Sequence, residues 1–215
     1  MDALNKVKNT WNHFAATNPM WSILTGNENW DINEFYKTGI DEAVVLIGDW
    51  LKPGGSILDF GCGVGRMSEA FLKYYDEVTG IDISENMLKL AKERNSGVNY
   101  VLNATDDLSV FSDNKFDCVF SVIVLQHMCE EMQTKYIKEF VRVTKPGGRM
   151  AFQIPSHHIS GQRSFDHPDK EIVMEMHGLP QETVLDLLKD CEVTINPNNK
   201  CGDHWISYTY LVDKK

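Results

Sequence analysis

The chain has 215 residues, of which 42% are apolar, and carries a formal net charge of −10 at pH 7. That length suits one α/β domain with a short appendage and is too short for two comfortable domains, and the apolar share can bury a sizeable core. A mean field this acidic repels phosphate, so neither nucleic acid nor an anionic membrane is expected as a partner.

The five cysteines are Cys62, Cys118, Cys129, Cys191 and Cys201. Their number is odd and none forms a C-x-x-C pair, a pattern of reduced thiols rather than of a disulfide framework or a zinc site. Met1–Thr10 has no apolar signal core, and no run approaches the roughly 18 apolar residues that cross a bilayer. A soluble, cytoplasmic protein is the expectation.

In chain order, the first fifty residues read as helical. Asp31 and Glu34 have capping-box spacing, and Ile32, Phe35, Ile40, Val44, Ile47 and Leu51 then recur at roughly helical intervals. Pro53-Gly54-Gly55 stops that helix. Ser56–Phe60 is a short apolar run, expected as a buried strand, and Val64–Tyr74 is helical. Glu77–Ile83 is a second strand, and Ser84 caps a helix over Glu85–Arg94. Val98–Leu102 and Phe116–Val122 are the third and fourth strands. Glu130–Val143 is amphipathic, with Met132, Tyr136, Ile137, Phe140 and Val141 on one side, and Lys145-Pro146-Gly147-Gly148 ends it. Arg149–Ile154 is a fifth strand, Pro180–Lys189 a helix, and Cys191–Asn196 with His204–Val212 a closing hairpin. Strands alternating with helices imply parallel βαβ units with right-handed crossovers, and the hairpin adds an antiparallel strand.

The chemistry concentrates in Asp59-Phe60-Gly61-Cys62-Gly63-Val64-Gly65, directly after the first strand. Glycines at alternate positions permit a sharp turn and close approach to a ligand. The helix that follows favours an anionic group at its N-terminus. About twenty residues on, Gly80-Ile81-Asp82 ends the second strand, where an acid can hold ribose hydroxyls. A nicotinamide fingerprint needs G-x-G-x-x-G, but its third glycine falls on Arg66 or Ser68, and no G-x-x-x-x-G-K-[ST] loop is present.

Ile57–Arg66 (ILDFGCGVGR) resembles the glycine-rich first motif of class I methyltransferases that use S-adenosylmethionine (SAM). Gly80–Ser84 is similar to their acidic second motif, Phe116–Met128 to the fourth-strand motif, and Arg142–Met150 to the segment entering the fifth strand. The four lie in register from Pro53 to Pro155. The resemblance implies a doubly wound α/β fold with a mostly parallel seven-stranded sheet and one antiparallel edge-region strand. It also implies an N-terminal helical lid over residues 1–52 and a Rossmann-like catalytic domain over 53–215.

The resemblance further implies a set of roles. Gly61, Cys62 and Gly63 pass beneath the methionine part of SAM, and Asp59 orients the loop or meets the ammonium. Asp82 binds the ribose, Ile83 and Met87 pack on the adenine, and Asn103 and Ala104 border it. Ser121 and Val122 lie beside the sulfonium. Cys62 reads as a space-filler rather than a nucleophile. The product would be S-adenosylhomocysteine (SAH).

Methyl transfer from a sulfonium is an in-line displacement from an activated leaving group, so alignment dominates and a base is needed when the acceptor carries a proton. Ligands of open α/β sheets bind beyond the carboxyl ends of the strands. His127 follows the fourth strand, His157 and His158 follow the fifth, and His204 opens the last, so these four are the candidate bases, with His127 first. Trp11, Phe14, Trp21, Trp30, Phe35 and Tyr36 either line a lid or pack helices. Ser156–Gly178, with Arg163, His167 and Pro168, is the expected acceptor loop. The expected activity is methylation of oxygen or nitrogen on a small molecule such as a sugar, a phosphorylated metabolite or a natural-product intermediate. The alternatives are a non-catalytic SAM-binding module and an enzyme acting on a macromolecule.

Overall fold

The computed structural model describes residues 3–47, 50, 54–160, 164–166, 173–198 and 200–215. Its helices are α1 (Ala3–Thr17), α2 (Pro19–Ile23), α3 (Ile32–Ile47), α4 (Arg66–Phe71), α5 (Glu85–Arg94), α6 (Glu130–Val143) and α7 (Gln181–Leu187). The strands are β1 (Ser56–Phe60), β2 (Glu77–Asp82), β3 (Asn99–Leu102), β4 (Phe116–Ser121), β5 (Thr144–His158), β6 (Ser164–Asp166), β7 (Val173–Glu175), β8 (Cys191–Asn198) and β9 (Trp205–Lys214). Seven of them form a mixed sheet in the order β3-β2-β1-β4-β5-β9-β8, and β6 and β7 form a separate two-stranded hairpin.

The chain divides into two compact units, one comprising Trp11–Ala104 and the other Met1–Thr10 with Thr105–Lys215. Residues 11–52 therefore fall within the same unit as the glycine-rich turn. In that unit β1 pairs in parallel with β2, and β2 with β3. Every residue of β1 is buried, as a strand covered on both faces requires. Asp31 caps α3, its Oδ1 accepting the Asn33 and Glu34 amides at 2.9 and 3.0 Å. Ser84 caps α5 by accepting the Met87 amide at 3.1 Å. Both caps match the sequence reading. The expected end of the first long helix at Leu51 and Pro53 lies outside the described residues.

In the second unit β4 runs parallel to β5, while β9 runs antiparallel to both β5 and β8. The single reversed strand thus sits one place in from the edge, with β8 outermost. Phe152 and Tyr210, opposite each other in β5 and β9, stack at 5.2 Å between ring centroids. The buried residues Met132, Tyr136, Ile137, Phe140 and Val143 recur three to four apart along α6 and form its core face.

The expected element boundaries hold to within a few residues except at β5, which extends from Thr144 to His158. The Lys145–Gly148 segment is absorbed as an irregularity, because the β4 register shifts between Phe116 and Cys118. Gly147 takes φ +73° there. The β6–β7 hairpin is a second difference, since the sequence offered only a loop.

Candidate cofactor and acceptor sites

In the first unit the chain turns sharply after β1. Gly61, Gly63 and Gly65 adopt φ of +72°, +52° and +82°, values that side chains disfavour. At Gly65 there is no room for one either, since an added Cβ would fall on the Tyr100 hydroxyl. The turn's amides are spent internally. Gly61 and Cys62 both donate to the Ile81 carbonyl at 2.8 and 3.1 Å, and Gly65 donates to the Cys62 carbonyl at 2.8 Å. Gly63 donates to Asp82 Oδ2 at 2.9 Å.

A pyrophosphate cradle needs free amides and tolerates no carboxylate behind them. Here four amides are occupied, and Asp59 and Asp82 are both buried beside the turn. Such a site suits a cationic or neutral nucleoside and repels a phosphate.

Asp82 Oδ1 accepts the Ser84 amide at 2.8 Å. Burial raises its pKa, while hydrogen bonds from Ser84, Gly63 and Ile83 oppose the rise. An ionised carboxylate offers about four lone-pair sites, so acceptor capacity remains for the two hydroxyls of a ribose. Asp59 Oδ2 accepts the Ser68 hydroxyl at 2.5 Å. Burial pushes Asp59 up to about 6, against the Ser68 hydrogen bond and the Arg66 charge. Asp59 thus ties β1 to α4 and orients the loop. Burial holds the Cys62 thiol well above its ordinary pKa. A Cβ on Gly80 would lie 2.9 Å from its sulfur, so Cys62 fills space against β2, as the sequence implied.

Of the residues expected around an adenine, Ile83 is half-buried, Met87 is buried within the unit, and Ala104 is exposed. Asn103 is buried, and its amide donates to the Asp82 carbonyl at 2.8 Å. Ile23, the last residue of α2, reaches over the turn, where a Cβ on Gly63 would lie 2.9 Å from its Cδ1. Asn12 of α1 accepts the Ser84 hydroxyl at 2.8 Å, directly after Asp82 and Ile83. Phe14, Phe35 and Tyr36 are buried, and the Tyr36 hydroxyl donates to the Val64 carbonyl at 2.7 Å. Trp11 and Trp21 contact Phe14, and Trp30 contacts Phe35. These aromatics pack the N-terminal helices, and α2 through Ile23 and α3 through Tyr36 each bring a group onto the glycine turn.

The candidate bases lie in the second unit. From Ser121, the last residue of β4, the chain passes through Val122 and Ile123 into a 3-10 turn at Leu125–His127. Ser121 Oγ is buried without a hydrogen-bond partner. His127 Nδ1 lies 2.9 Å from the Glu175 carbonyl, and its Nε2 lies 3.2 Å from Gln126 Nε2. The carbonyl can only accept, so Nδ1 carries the proton and Nε2 accepts from Gln126. Burial lowers the His127 pKa to about 4. It is a neutral imidazole with both nitrogens engaged inside the protein.

His157 is exposed, its Nδ1 3.2 Å from Ser156 Oγ. His158 Nδ1 accepts the Ser160 amide at 2.9 Å, and Ser160 Oγ lies 3.0 Å from Nδ1 and 3.5 Å from Nε2. His158 and His204 face each other with ring centroids 6.0 Å apart, because β9 opens where β5 ends. His158 and His204 come together where β5 and β9 pair, while the His127 ring engages other groups, Glu175 and Gln126. The loop residues Arg163, His167 and Pro168 lie outside the described residues.

The sequence placed Gln126 just past the fourth strand and Cys201 among the reduced thiols, but it gave no sign that these two meet Gln153 and, through it, the backbone of Ile123. Their one visible signal is Gln153, a lone polar residue within the apolar run of β5.

A glycine turn backed by carboxylates, together with a mixed sheet of this order, makes up the α/β methyltransferase fold. Comparison with known proteins agrees, for residues 58–152 match the family described as "Methyltransferase domain". That match spans a little under half of the chain.

Among curated relatives, malonyl-acyl-carrier-protein O-methyltransferase of Buchnera aphidicola is 42% identical over 102 residues, covering 47% of this chain and 40% of the relative. The 2-methyl-6-phytyl-1,4-hydroquinone methyltransferase of Synechocystis is 41% identical over 103 residues, covering 46% of this chain and 32% of the relative. The chain therefore spans less than half the length of either. Among solved structures, magnesium protoporphyrin IX methyltransferase from Synechocystis with bound SAM superposes at a TM-score of 0.70 and 16% identity, over 100% of this chain and 98% of that one. That likeness concerns the fold. Among the described residues, no helix is long and apolar enough to cross a membrane.

Proposed function

We propose that this protein transfers the methyl group of SAM to an oxygen or nitrogen of a small-molecule acceptor. The observation that carries the reading is the glycine turn closed onto Asp82, with its amides used internally and two carboxylates buried beside it. This arrangement has spare acceptors for hydroxyls and favours positive over negative charge. Relatives named for malonyl-acyl-carrier-protein and hydroquinone methylation support a small acceptor, or one presented on a carrier.

Asp82 would hold the ribose, and Gly61, Cys62 and Gly63 would lie under the methionine part. Ile83 and Asn103 would border the adenine, with Met87 backing them from the interior. SAM supplies an activated methyl group on a sulfonium. Asp59 fixes the loop through Ser68, and Ile23 shields the turn from water. Of the imidazoles, His157 and His204 are exposed and His158 is half-buried, and any of the three would take a proton from an acceptor.

Calorimetric titration with SAM, SAH and NADH tests the reading. Micromolar binding of the first two without the third is expected, and binding of NADH alone overturns it. A transfer assay with tritiated SAM against phenols, hydroquinones, carboxylic acids and an acyl carrier protein then separates an enzyme from a silent binder.

A further inference from the structure

Ile123 adopts φ +62°, a conformation that a β-branched side chain strongly disfavours unless its surroundings enforce it. The enforcing contact is a hydrogen bond from its amide to Gln153 Oε1 at 2.9 Å. Gln153 is fully buried. Its Nε2 donates to Ser207 Oγ at 2.8 Å and to Cys201 Sγ at 2.9 Å. The Cys201 thiol in turn donates to Gln126 Oε1 at 3.0 Å, and Gln126 Nε2 reaches His127.

The direction of this relay is fixed from one end. The Glu175 carbonyl can only accept, so it sets the His127 tautomer. His127 Nε2 must then accept, which turns the Gln126 amide nitrogen toward it and the Gln126 oxygen toward Cys201. The thiol must donate to that oxygen, so its sulfur can only accept from Gln153. Gln153 therefore presents nitrogen to Cys201 and oxygen to Ile123. One carbonyl orients an imidazole, two amides and a thiol, and the Gln153 amide at the far end holds a strained turn after β4.

In an open α/β sheet that end is where ligands bind. The geometry points to Gln153 as a positioning residue that, through Cys201, Gln126 and His127, sets the shape of the turn facing the methyl acceptor. The acceptor-facing part rests on the methyltransferase reading above; the relay itself does not.

Nitrogen NMR of the His127 ring and amide exchange at Ile123 test the relay, with SAH affinity by calorimetry as a separate arm. Wild type is expected to show the Nδ1–H tautomer. Cys201→Ser, whose hydroxyl can both accept and donate, keeps Ile123 exchange within about twofold of wild type. Cys201→Ala and Gln153→Leu accelerate it by about tenfold or more, relative to a core amide such as Phe120. All three variants bind SAH as wild type does, since the turn faces the acceptor. If Gln153→Leu fails to fold, the Cys201 pair decides. An Nε2–H tautomer in wild type, or equal Ile123 exchange in Cys201→Ser and Cys201→Ala, overturns the relay. SAH affinity falling in step with exchange overturns its acceptor-side assignment. Failure of wild type to bind SAH removes the methyl-transfer reading and leaves the tautomer and exchange results to judge the relay.

Discussion

The Asp82 carboxylate accepts the Gly63 amide at 2.9 Å, binding the end of β2 to the turn that follows β1. Its other oxygen takes the Ser84 amide at 2.8 Å. One side chain therefore shapes the turn, starts α5 and keeps acceptor capacity for a ligand. Asp82→Asn is not conservative here, because the amide keeps one acceptor oxygen and turns an NH₂ toward a backbone donor. The expected result is a loss of about 1–3 kcal/mol in stability and at least a tenfold weaker SAM titration. Denaturant midpoints and calorimetry on the same preparation check both.

Tyr100 offers a prediction of opposite sign. Its hydroxyl is buried without a hydrogen-bond partner and sits where a Cβ on Gly65 would go. Burial raises its pKa, so it stays a neutral phenol. Removing an unsatisfied buried hydroxyl is neutral or favourable, by up to about 1 kcal/mol. Tyr100→Phe should leave the melting temperature unchanged or raise it, and a clear drop would show an unseen partner for the hydroxyl.

Two buried groups give opposing pH dependences. The folded pKa of Asp59, about 6, stands above its ordinary value of 3.8. Its stabilising contribution is thus full below pH 3.8 and lost as pH rises through about 6. The folded pKa of His127, about 4, stands below its ordinary value of 6.5. Its contribution is full above pH 6.5 and lost as pH falls through about 4. Each amounts to about 3 kcal/mol, so the two largely cancel over that window. Asp82, raised in the same direction as Asp59, adds to the first. Asp59→Asn should make stability rise with pH between 4 and 6.5, and His127→Gln should make it fall. Urea midpoints across that range read the slopes, and unchanged slopes in both variants would rule out these assignments.

The fold and the glycine turn were legible because each rests on local rules. The Asp31 and Ser84 caps, the apolar runs and the glycines at alternate positions all act within a few residues of themselves. The second unit was read less fully for the same reason. His127 looked like a free base because its partners, Gln126 apart, lie far along the chain; Glu175 is 48 residues away. Gln153 meets Cys201 only because β5 and β9 pair, at a separation of 48 residues. No periodicity encodes such a meeting. The β6–β7 hairpin likewise has only three paired positions, too few for an alternation to stand out.

Arg142 shows what one resemblance motif does physically. It opens the Arg142–Met150 segment and lies in the last turn of α6, where it makes five hydrogen bonds. Nε and NH2 grip Glu139 at 2.8 and 2.7 Å. NH2 also reaches the Leu108 carbonyl at 2.9 Å, and NH1 reaches the Phe111 carbonyl at 3.0 Å and Asp113 at 2.7 Å. Glu139 meanwhile accepts the Leu108 amide at 2.8 Å, so the pair clamps the loop before β4 onto α6. Lysine keeps the charge but lacks the planar fork, and it cannot reach both carbonyls and both carboxylates. Arg142→Lys should cost about 1–2 kcal/mol, a figure already reduced for partial exposure. Arg142→Ala should cost more and expose Leu108 and Phe111 to faster amide exchange. SAM affinity should be unchanged in both variants, since the clamp lies wholly in the second unit. Equal stability of wild type and Arg142→Ala would reduce these bonds to surface decoration.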